Sequence, residues 1–259
     1  NVQDIYPLAP LQAGMLYHHR AVQGADDYVL RAQFAFDSPQ RLEAFALALQ
    51  AVIQRHDILR SSFHWDGLEE PVQVVWRQAS LRVEHGAVPE RLDLAQAPLM
   101  RLVVNADSAT LLFHHLVMDH IALEILQQEM QAFLMGTQHT LGLAVPYRNY
   151  VAQTRVGAED HEAFLRDMLG DIDEPTQVER LGGNETILRP LDADLSQRLR
   201  TQTRQSGVSA ASLMHLAWAQ VLGKVSGRDN VVFGSVMLGR LQGGEGAERA
   251  MGVFINTLP

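Results

Sequence analysis

Three histidines and an aspartate fall within the seven positions 114–120: His114, His115, Asp119 and His120. Imidazole takes and gives a proton near neutral pH, which few side chains do. Thr110 to His114 is rich in β-formers and reads as a strand. Alternation along a strand sends successive side chains to opposite faces. One of His114 and His115 therefore points into the structure, and the other into whatever opens beyond it. Asp119 lies where a helix starts, a place where a carboxylate caps free backbone N–H groups. On these residues alone three readings stay open: acid–base catalysis, structural histidines, and a metal site on His115, Asp119 and His120, since mixed histidine and carboxylate sets bind zinc or iron. Asp119 and His120 are adjacent and should diverge, which weighs against the metal.

The segment needs a strand before it and a helix after it, and both belong to an alternating pattern. Ser38-Pro39 predicts a helix start, a hydroxyl cap followed by proline in the first turn. Leu42, Phe45, Leu49, Val52 and Ile53 then share one face, and the helix should end near His56. Residues 28–36, 72–76, 99–104 and 110–114 are predicted strands. The helix from Asp119 buries Ile121, Ile125, Leu126, Met130, Phe133 and Leu134 and stops at Gly136. A further helix is predicted over 161–169, and a linker over 170–184, which is polar and contains Pro175 and Gly182-Gly183. Asp194 and Ser209 are predicted caps of two later helices, the second carrying Leu213, Leu216, Ala217, Val221 and Leu222; a strand over 230–238 follows. The expected organisation is one α/β lobe over 1–176 and the start of another over 177–259.

Composition narrows the function classes. Hydrophobic residues make up 47% of the 259 residues, enough for a sizeable core, and the formal net charge is −9 with no long basic run. That charge argues against nucleic acid or an anionic membrane as the main partner. Without cysteine there are no disulfides, thiolate nucleophiles or cysteine zinc sites, and a cytoplasmic setting fits. No apolar run approaches the roughly 20 residues of a membrane span. The chain opens on Asn1 without a signal-peptide pattern and ends on what reads as an interrupted strand, so a piece of a longer, multidomain chain is expected.

Other segments resemble a known set of motifs. Ile5-Tyr6-Pro7-Leu8-Ala9-Pro10-Leu11-Gln12, Arg55-His56-Asp57-Ile58-Leu59-Arg60-Ser61-Ser62-Phe63, His114-His115-Leu116-Val117-Met118-Asp119, Tyr147-Arg148-Asn149-Tyr150, Val232 to Arg240 and Met251 to Pro259 follow one another in the chain. Their types and order resemble the first six core motifs of nonribosomal peptide synthetase condensation domains, across essentially the whole sequence. His18-His19-Arg20-Ala21-Val22-Gln23-Gly24-Ala25-Asp26 resembles the additional motif of dual epimerisation/condensation domains, with Arg20 in place of an aliphatic residue and Ala25 in place of glycine. The bland reading of His18 and His19 is the end of an amphipathic helix, where cationic side chains suit the helix dipole. His120 stands where the wider family has glycine, and Ala122 where serine or threonine is frequent. Family members also continue past the sixth motif.

The resemblance implies an α/β fold of two chloramphenicol-acetyltransferase-like lobes in a V-shaped pseudodimer, the second lobe incomplete in this chain. It implies amide-bond formation between a donor peptidyl thioester and an acceptor aminoacyl thioester, with prior epimerisation of the donor α-carbon in the dual subtype. His115 and Asp119 are the expected catalytic pair, joined by His18 and His19 for epimerisation. His114, Arg240, Arg60, His120 and Asn256 are expected as structural members of the site. Asp119 should pair with Arg240, or failing that with Arg60. No metal or bound cofactor is expected; substrates would arrive on the phosphopantetheine arms of upstream and downstream peptidyl carrier proteins beside an adenylation domain, in a chain that is itself monomeric. Two alternatives share part of the pattern: a free-standing acyl-CoA acyltransferase, and a non-catalytic relative that docks carrier or tailoring proteins.

Overall fold

A computed structural model describes residues 1–105, 108–156, 158–178, 187–242 and 246–259. In chain order the strands are β1 (Val2–Pro7), β2 (Val29–Ala35), β3 (Ser61–His64), β4 (Val72–Trp76), β5 (Arg82–His85), β6 (Met100–Asn105), β7 (Ser108–His114), β8 (Ser235–Leu238) and β9 (Ile255–Leu258). The helices are α1 (Pro10–Ala21), α2 (Pro39–Arg55), α3 (His120–Leu134), α4 (Arg148–Thr154), α5 (Ala158–Met168), α6 (Ala193–Ser206) and α7 (Ala210–Ser226). The chain divides into two compact units, Asn1–Ala158 with Val236–Thr257, and Glu159–Ser235 with Leu258–Pro259. This differs from a boundary at 176. The segment bearing Arg240 and Phe254 folds into the first unit because its polar groups are the partners of Asp119.

In the first unit, β2, β7, β6 and β5 form a mixed sheet in that order, with only the β5–β6 pair parallel. A second, antiparallel sheet has the order β1-β4-β3, and β8 pairs with β9. Helix α2 starts where Ser38 Oγ accepts the Arg41 N–H, and it buries Ala48, Leu49, Val52 and Ile53. It packs on α3, whose inward face is Ala122, Leu126 and Met130. Leu134 departs from its predicted stripe and is 51% exposed, because the helix ends there ahead of Gly136, whose φ is +72°. The core of this unit therefore lies beneath β7 and the start of α3, the two elements that flank His115.

The second unit, and the strand that leads out of it, correct several expectations. Asp192, not Asp194, caps α6, its Oδ1 accepting from the N–H groups of Asp194 and Leu195. Ser209 caps α7 as predicted. On α7, however, only Leu222 is buried, while Leu216, Trp218, Val221 and Val225 are half exposed. The strand over 230–238 is confined to Ser235–Leu238, since the Val232 N–H donates to Thr176 Oγ1 rather than to a ladder. The predicted linker lies outside the described residues from 179 to 184. Among the described residues no helix is long and apolar enough to cross a membrane.

Candidate active site

His115 is the first residue beyond β7, in a turn that runs into α3. Its backbone is held from several directions. The His115 N–H donates to the Tyr28 carbonyl at 2.8 Å. The next N–H, of Leu116, donates to His114 Nδ1 at 3.1 Å, and the Leu116 carbonyl accepts from Gln12 Nε2 at 2.8 Å. Gln12 is fully buried, because its Oε1 also receives the Ala9 N–H and Gln73 Nε2. The His115 ring is half-buried. Its Nδ1 is enclosed without a hydrogen-bond partner among the described residues, which leaves Nε2 as the nitrogen for a reactant to meet.

At the other end of the turn Asp119 is 3% exposed and fully engaged. Its Oδ1 accepts the Ala122 N–H at 2.8 Å, capping α3, and Arg240 Nη2 at 2.9 Å. Its Oδ2 accepts the Phe254 N–H at 3.0 Å, and its own N–H donates to the Gly252 carbonyl at 3.2 Å. Arg240 donates further to the carbonyls of Ala247 and Ala250, and its guanidinium lies 4.2 Å from the Phe254 ring centroid. Tyr147 closes the arrangement. Its hydroxyl donates to the Val253 carbonyl at 2.7 Å, and its N–H reaches the Asp57 carboxylate. Burial pushes the Tyr147 phenol well above its ordinary pKa, which keeps it a neutral donor. The bonds of Asp119 tie the turn that bears His115 to the start of α3, to Arg240 and to residues 252–254.

His114 points inward and is fully buried. Its Nδ1 accepts from Leu116, so its proton sits on Nε2, which donates to Asp26 Oδ2 at 3.1 Å. The same oxygen receives His19 Nδ1 at 2.5 Å. Arg91 Nη2 lies 3.1 Å from His19 Nε2 and 2.7 Å from the His19 carbonyl, which fixes His19 as the Nδ1–H tautomer. Asp26 Oδ1 accepts the Tyr28 N–H at 3.0 Å. Burial alone would raise the Asp26 pKa; the bonds from His114, His19 and Tyr28 overcome it and hold the carboxyl well below the usual range. Burial lowers the His114 pKa, against the pull of Asp26, and favours its neutral form.

His19 Nδ1, the Asp26 carboxylate and His114 Nε2 lie within 4.8 Å of one another, a spacing that a metal ion could bridge. The hydrogen bonds argue otherwise. A neutral His114 that accepts the Leu116 N–H on Nδ1 has no lone pair left on Nε2, and the Arg91 guanidinium beside His19 opposes a second cation. His115, Asp119 and His120 do not converge on a metal either, because Asp119 is saturated and His120 turns to Glu124 at 3.2 Å with its side chain 81% exposed.

The remaining predicted residues divide. His18 is exposed, its ring centroid 6.2 Å from that of Tyr28, the residue whose carbonyl receives the His115 N–H. Arg60 is not at Asp119; its guanidinium donates to the carbonyls of Trp76, Ile53 and Gln54 and to Gln3 Oε1, tying α2 to β1 and β4. Among the described residues Asn256 bonds only locally through its side chain, its Oδ1 accepting the Thr257 N–H. Gln12, Tyr147 and Asp26 belong to the motif segments, yet their types alone gave them no role. Arg91 carried no local signal, since its partners lie 67–72 positions away in sequence.

Known proteins share both the sequence pattern and the fold. The family profile described as "Condensation domain" matches residues 2–259. The sequence is 41% identical over 291 residues to malpibaldin synthetase of Mortierella alpina, covering 100% of this chain and 5% of that protein. It is 32% identical over 299 residues to one of the linear gramicidin synthase subunits of Brevibacillus parabrevis, covering 100% of this chain and 4% of that one. The chain thus spans about one-twentieth of the length of these relatives. Among solved structures, the first condensation domain of the calcium-dependent antibiotic synthetase, in complex with a substrate analogue, superposes with a TM-score of 0.70 at 18% identity, over 99% of this chain and 69% of that one. At that identity the match speaks for the α/β fold alone.

Proposed function

The chain belongs to the condensation-domain family, and from that premise we propose that it joins a donor peptidyl thioester to an acceptor aminoacyl thioester, both carried on phosphopantetheine arms. Condensation domains take their substrates on such carriers and bind no cofactor of their own. The acceptor amine attacks the thioester carbonyl. The C–N bond forms, the C–S bond breaks, and the proton lost from nitrogen leaves on the donor's thiol. A thioester is already activated, so holding both reactants in line supplies up to about 7–11 kcal/mol of the barrier. General acid–base help adds roughly 10²–10⁴-fold.

The observation that carries this reading is the His115 turn. The turn that carries this half-buried imidazole is bonded directly to Gln12, Arg240 and Phe254, and through Val253 and Tyr147 to Asp57, so that five other family motifs converge on it. Rigid positioning is what a reaction that depends on orientation needs. The enclosed Nδ1 refines the role of the ring. A buried N–H without an acceptor is rarer and costlier than a buried lone pair. The resting tautomer is then Nε2–H, and His115 offers a donor to the thioester oxygen as charge develops there.

Epimerisation of the donor α-carbon before transfer is the finer reading, in line with the His18-His19 motif folding against the strand that holds His115. Inversion needs a base and an acid. His19 has both nitrogens committed, which leaves the exposed His18 as the candidate partner of His115 in this step. The protein partners are the carriers that deliver each substrate and the adenylation domain that loads them.

One assay tests the proposal. Donor- and acceptor-loaded carrier proteins are supplied in deuterated water, and product mass, configuration and α-deuterium are scored. Amide formation that falls by roughly 10²–10³-fold in His115→Ala while the fold persists is expected. Full product from a folded H115A protein would overturn the assignment. Carrier binding without turnover would favour a docking role, and turnover of free acyl-CoA would favour a free-standing acyltransferase. Product that keeps the donor's original configuration without deuterium would remove the epimerisation step.

A further inference from the structure

We propose that Asp26 is a positioning residue for His115, acting on the backbone at both sides of it; this rests on the condensation reading above. Two routes lead from the one carboxylate. Through Oδ1 it holds the Tyr28 N–H at 3.0 Å, which sets the turn into β2, and the Tyr28 carbonyl then receives the His115 N–H at 2.8 Å. Through Oδ2 it holds His114 Nε2–H at 3.1 Å, which leaves His114 Nδ1 free to receive the Leu116 N–H at 3.1 Å. Residues 115 and 116 thus have their N–H groups anchored by chains that meet on the same side chain. Asp26 also anchors the end of α1 through His19, with Arg91 behind it holding the carbonyls of His19, Val22 and Gly24. These partners fix the tautomers: Arg91 commits His19 Nε2 and Leu116 commits His114 Nδ1, so both rings must donate to Asp26.

The carboxylate cannot be exchanged for its amide. Asparagine carries one acceptor oxygen and one NH₂. If the oxygen faces the histidines, the NH₂ meets the Tyr28 N–H; if the NH₂ faces the histidines, it meets two N–H donors. Either way a donor opposes a donor in a site where Asp26 is 7% exposed. One anchor of the His115 turn is lost in each case, and a small misplacement of a reacting group costs up to about 10²-fold in rate.

The test compares wild type, Asp26→Asn and, as a control, Asp27→Asn, whose side chain is exposed. Two readouts are taken: amide formation between loaded carriers, and the ¹⁵N resonances of labelled histidine side chains. The expected result for D26N is a kcat lower by roughly ten- to hundredfold with KM for the carriers unchanged, and ¹⁵N shifts that move for His114 and His115. D27N should match wild type. Wild-type kcat in D26N, or His115 resonances that do not move, would overturn the proposal. If wild type forms no amide, the condensation reading has failed, and the ¹⁵N spectrum still decides this one. A neutral His114 protonated on Nε2 and disturbed by D26N supports it, whereas a His114 protonated on Nδ1 sinks it. Should D26N not fold, His114→Asn retains an acceptor for the Leu116 N–H while removing the link to Asp26, and the same loss of kcat and movement of the His115 resonances are required of it.

Discussion

Asp119 and Arg240 stand 121 positions apart in sequence and form a buried ion pair at 2.9 Å, with side-chain exposures of 2% and 9%. Because Arg240 also holds the carbonyls of Ala247 and Ala250, the pair ties the start of α3 to the chain preceding β9. Removing one partner leaves the other charge buried and unpaired, a change that costs about 3–5 kcal/mol. Arg240→Met should lower unfolding free energy by that order, and Arg240→Lys by less, since one ammonium replaces part of the donor fan. Urea unfolding of the two variants against wild type measures this. Equal midpoints would contradict the role given to Arg240.

Gly252 makes a second sharp prediction. Its φ is +142°, and a Cβ there would lie 2.2 Å from Tyr147 Cδ2. Tyr147 is fully buried and cannot withdraw. The strained backbone and the overpacked ring each cost about 1–3 kcal/mol. Gly252→Ala should therefore be destabilised by roughly 2–6 kcal/mol, and should be partly rescued by Tyr147→Leu, which removes the ring edge. A thermal melt of the single and double variants reads both effects, and a G252A protein that melts with wild type would refute the packing.

Acid should destabilise the fold through identifiable groups. Asp26 and Glu129 have depressed pKa values: burial opposes the shift in each, and hydrogen bonds from His114 and His19, or from His56, outweigh it. A depressed carboxylate contributes stability that is present above its unfolded pKa of about 4 and is lost as pH falls toward the folded value. His114, lowered by burial, adds a loss that begins as pH falls below about 6.5, where the unfolded imidazole takes up protons first. Asp57 runs the other way, since burial raises it and its protonation relieves the fold. The expected net result is falling stability between roughly pH 6.5 and pH 3. The slope near pH 6 should shrink in His114→Asn, which a urea series at fixed pH values would reveal.

The sequence was informative where structure is local. The hydroxyl cap at Ser38, the carboxylate cap at Asp119 and the glycine after α3 are short-range chemistry, and each appears where it was expected. The Asp119–Arg240 pair was legible only because motif order pointed to it; spacing alone says nothing about contacts 121 positions apart. Two kinds of feature were hidden. Arg60 looked like a site residue because it lies in a motif, yet its donors serve the carbonyls of Ile53, Gln54 and Trp76, a tertiary fact that no pattern encodes. The Asp26 cluster was hidden for a related reason. Its members come from α1, the β2 turn, the end of β7 and the loop at Arg91, and their meeting depends on the register of β2 against β7, which sets Val29 opposite His114.

The tautomer of His115 gives the most discriminating prediction about chemistry. With Nδ1 enclosed and unpartnered among the described residues, the function proposed above has the resting ring carry its proton on Nε2 and meet the donor thioester as a hydrogen-bond donor. Glutamine can place its NH₂ near the position of Nε2–H, whereas it cannot accept a proton as a base. If His115 acts by donation, His115→Gln should retain a rate at least about tenfold above His115→Ala, which itself loses roughly 10²–10³-fold, the size expected for one missing donor to a developing oxyanion. If the ring acts as a base, glutamine and alanine should be equally inactive. Single-turnover measurement with preloaded carriers separates the two, because it isolates bond formation from carrier exchange. An equal and complete loss in both variants would assign His115 to proton removal and refute the donor role derived from its buried nitrogen.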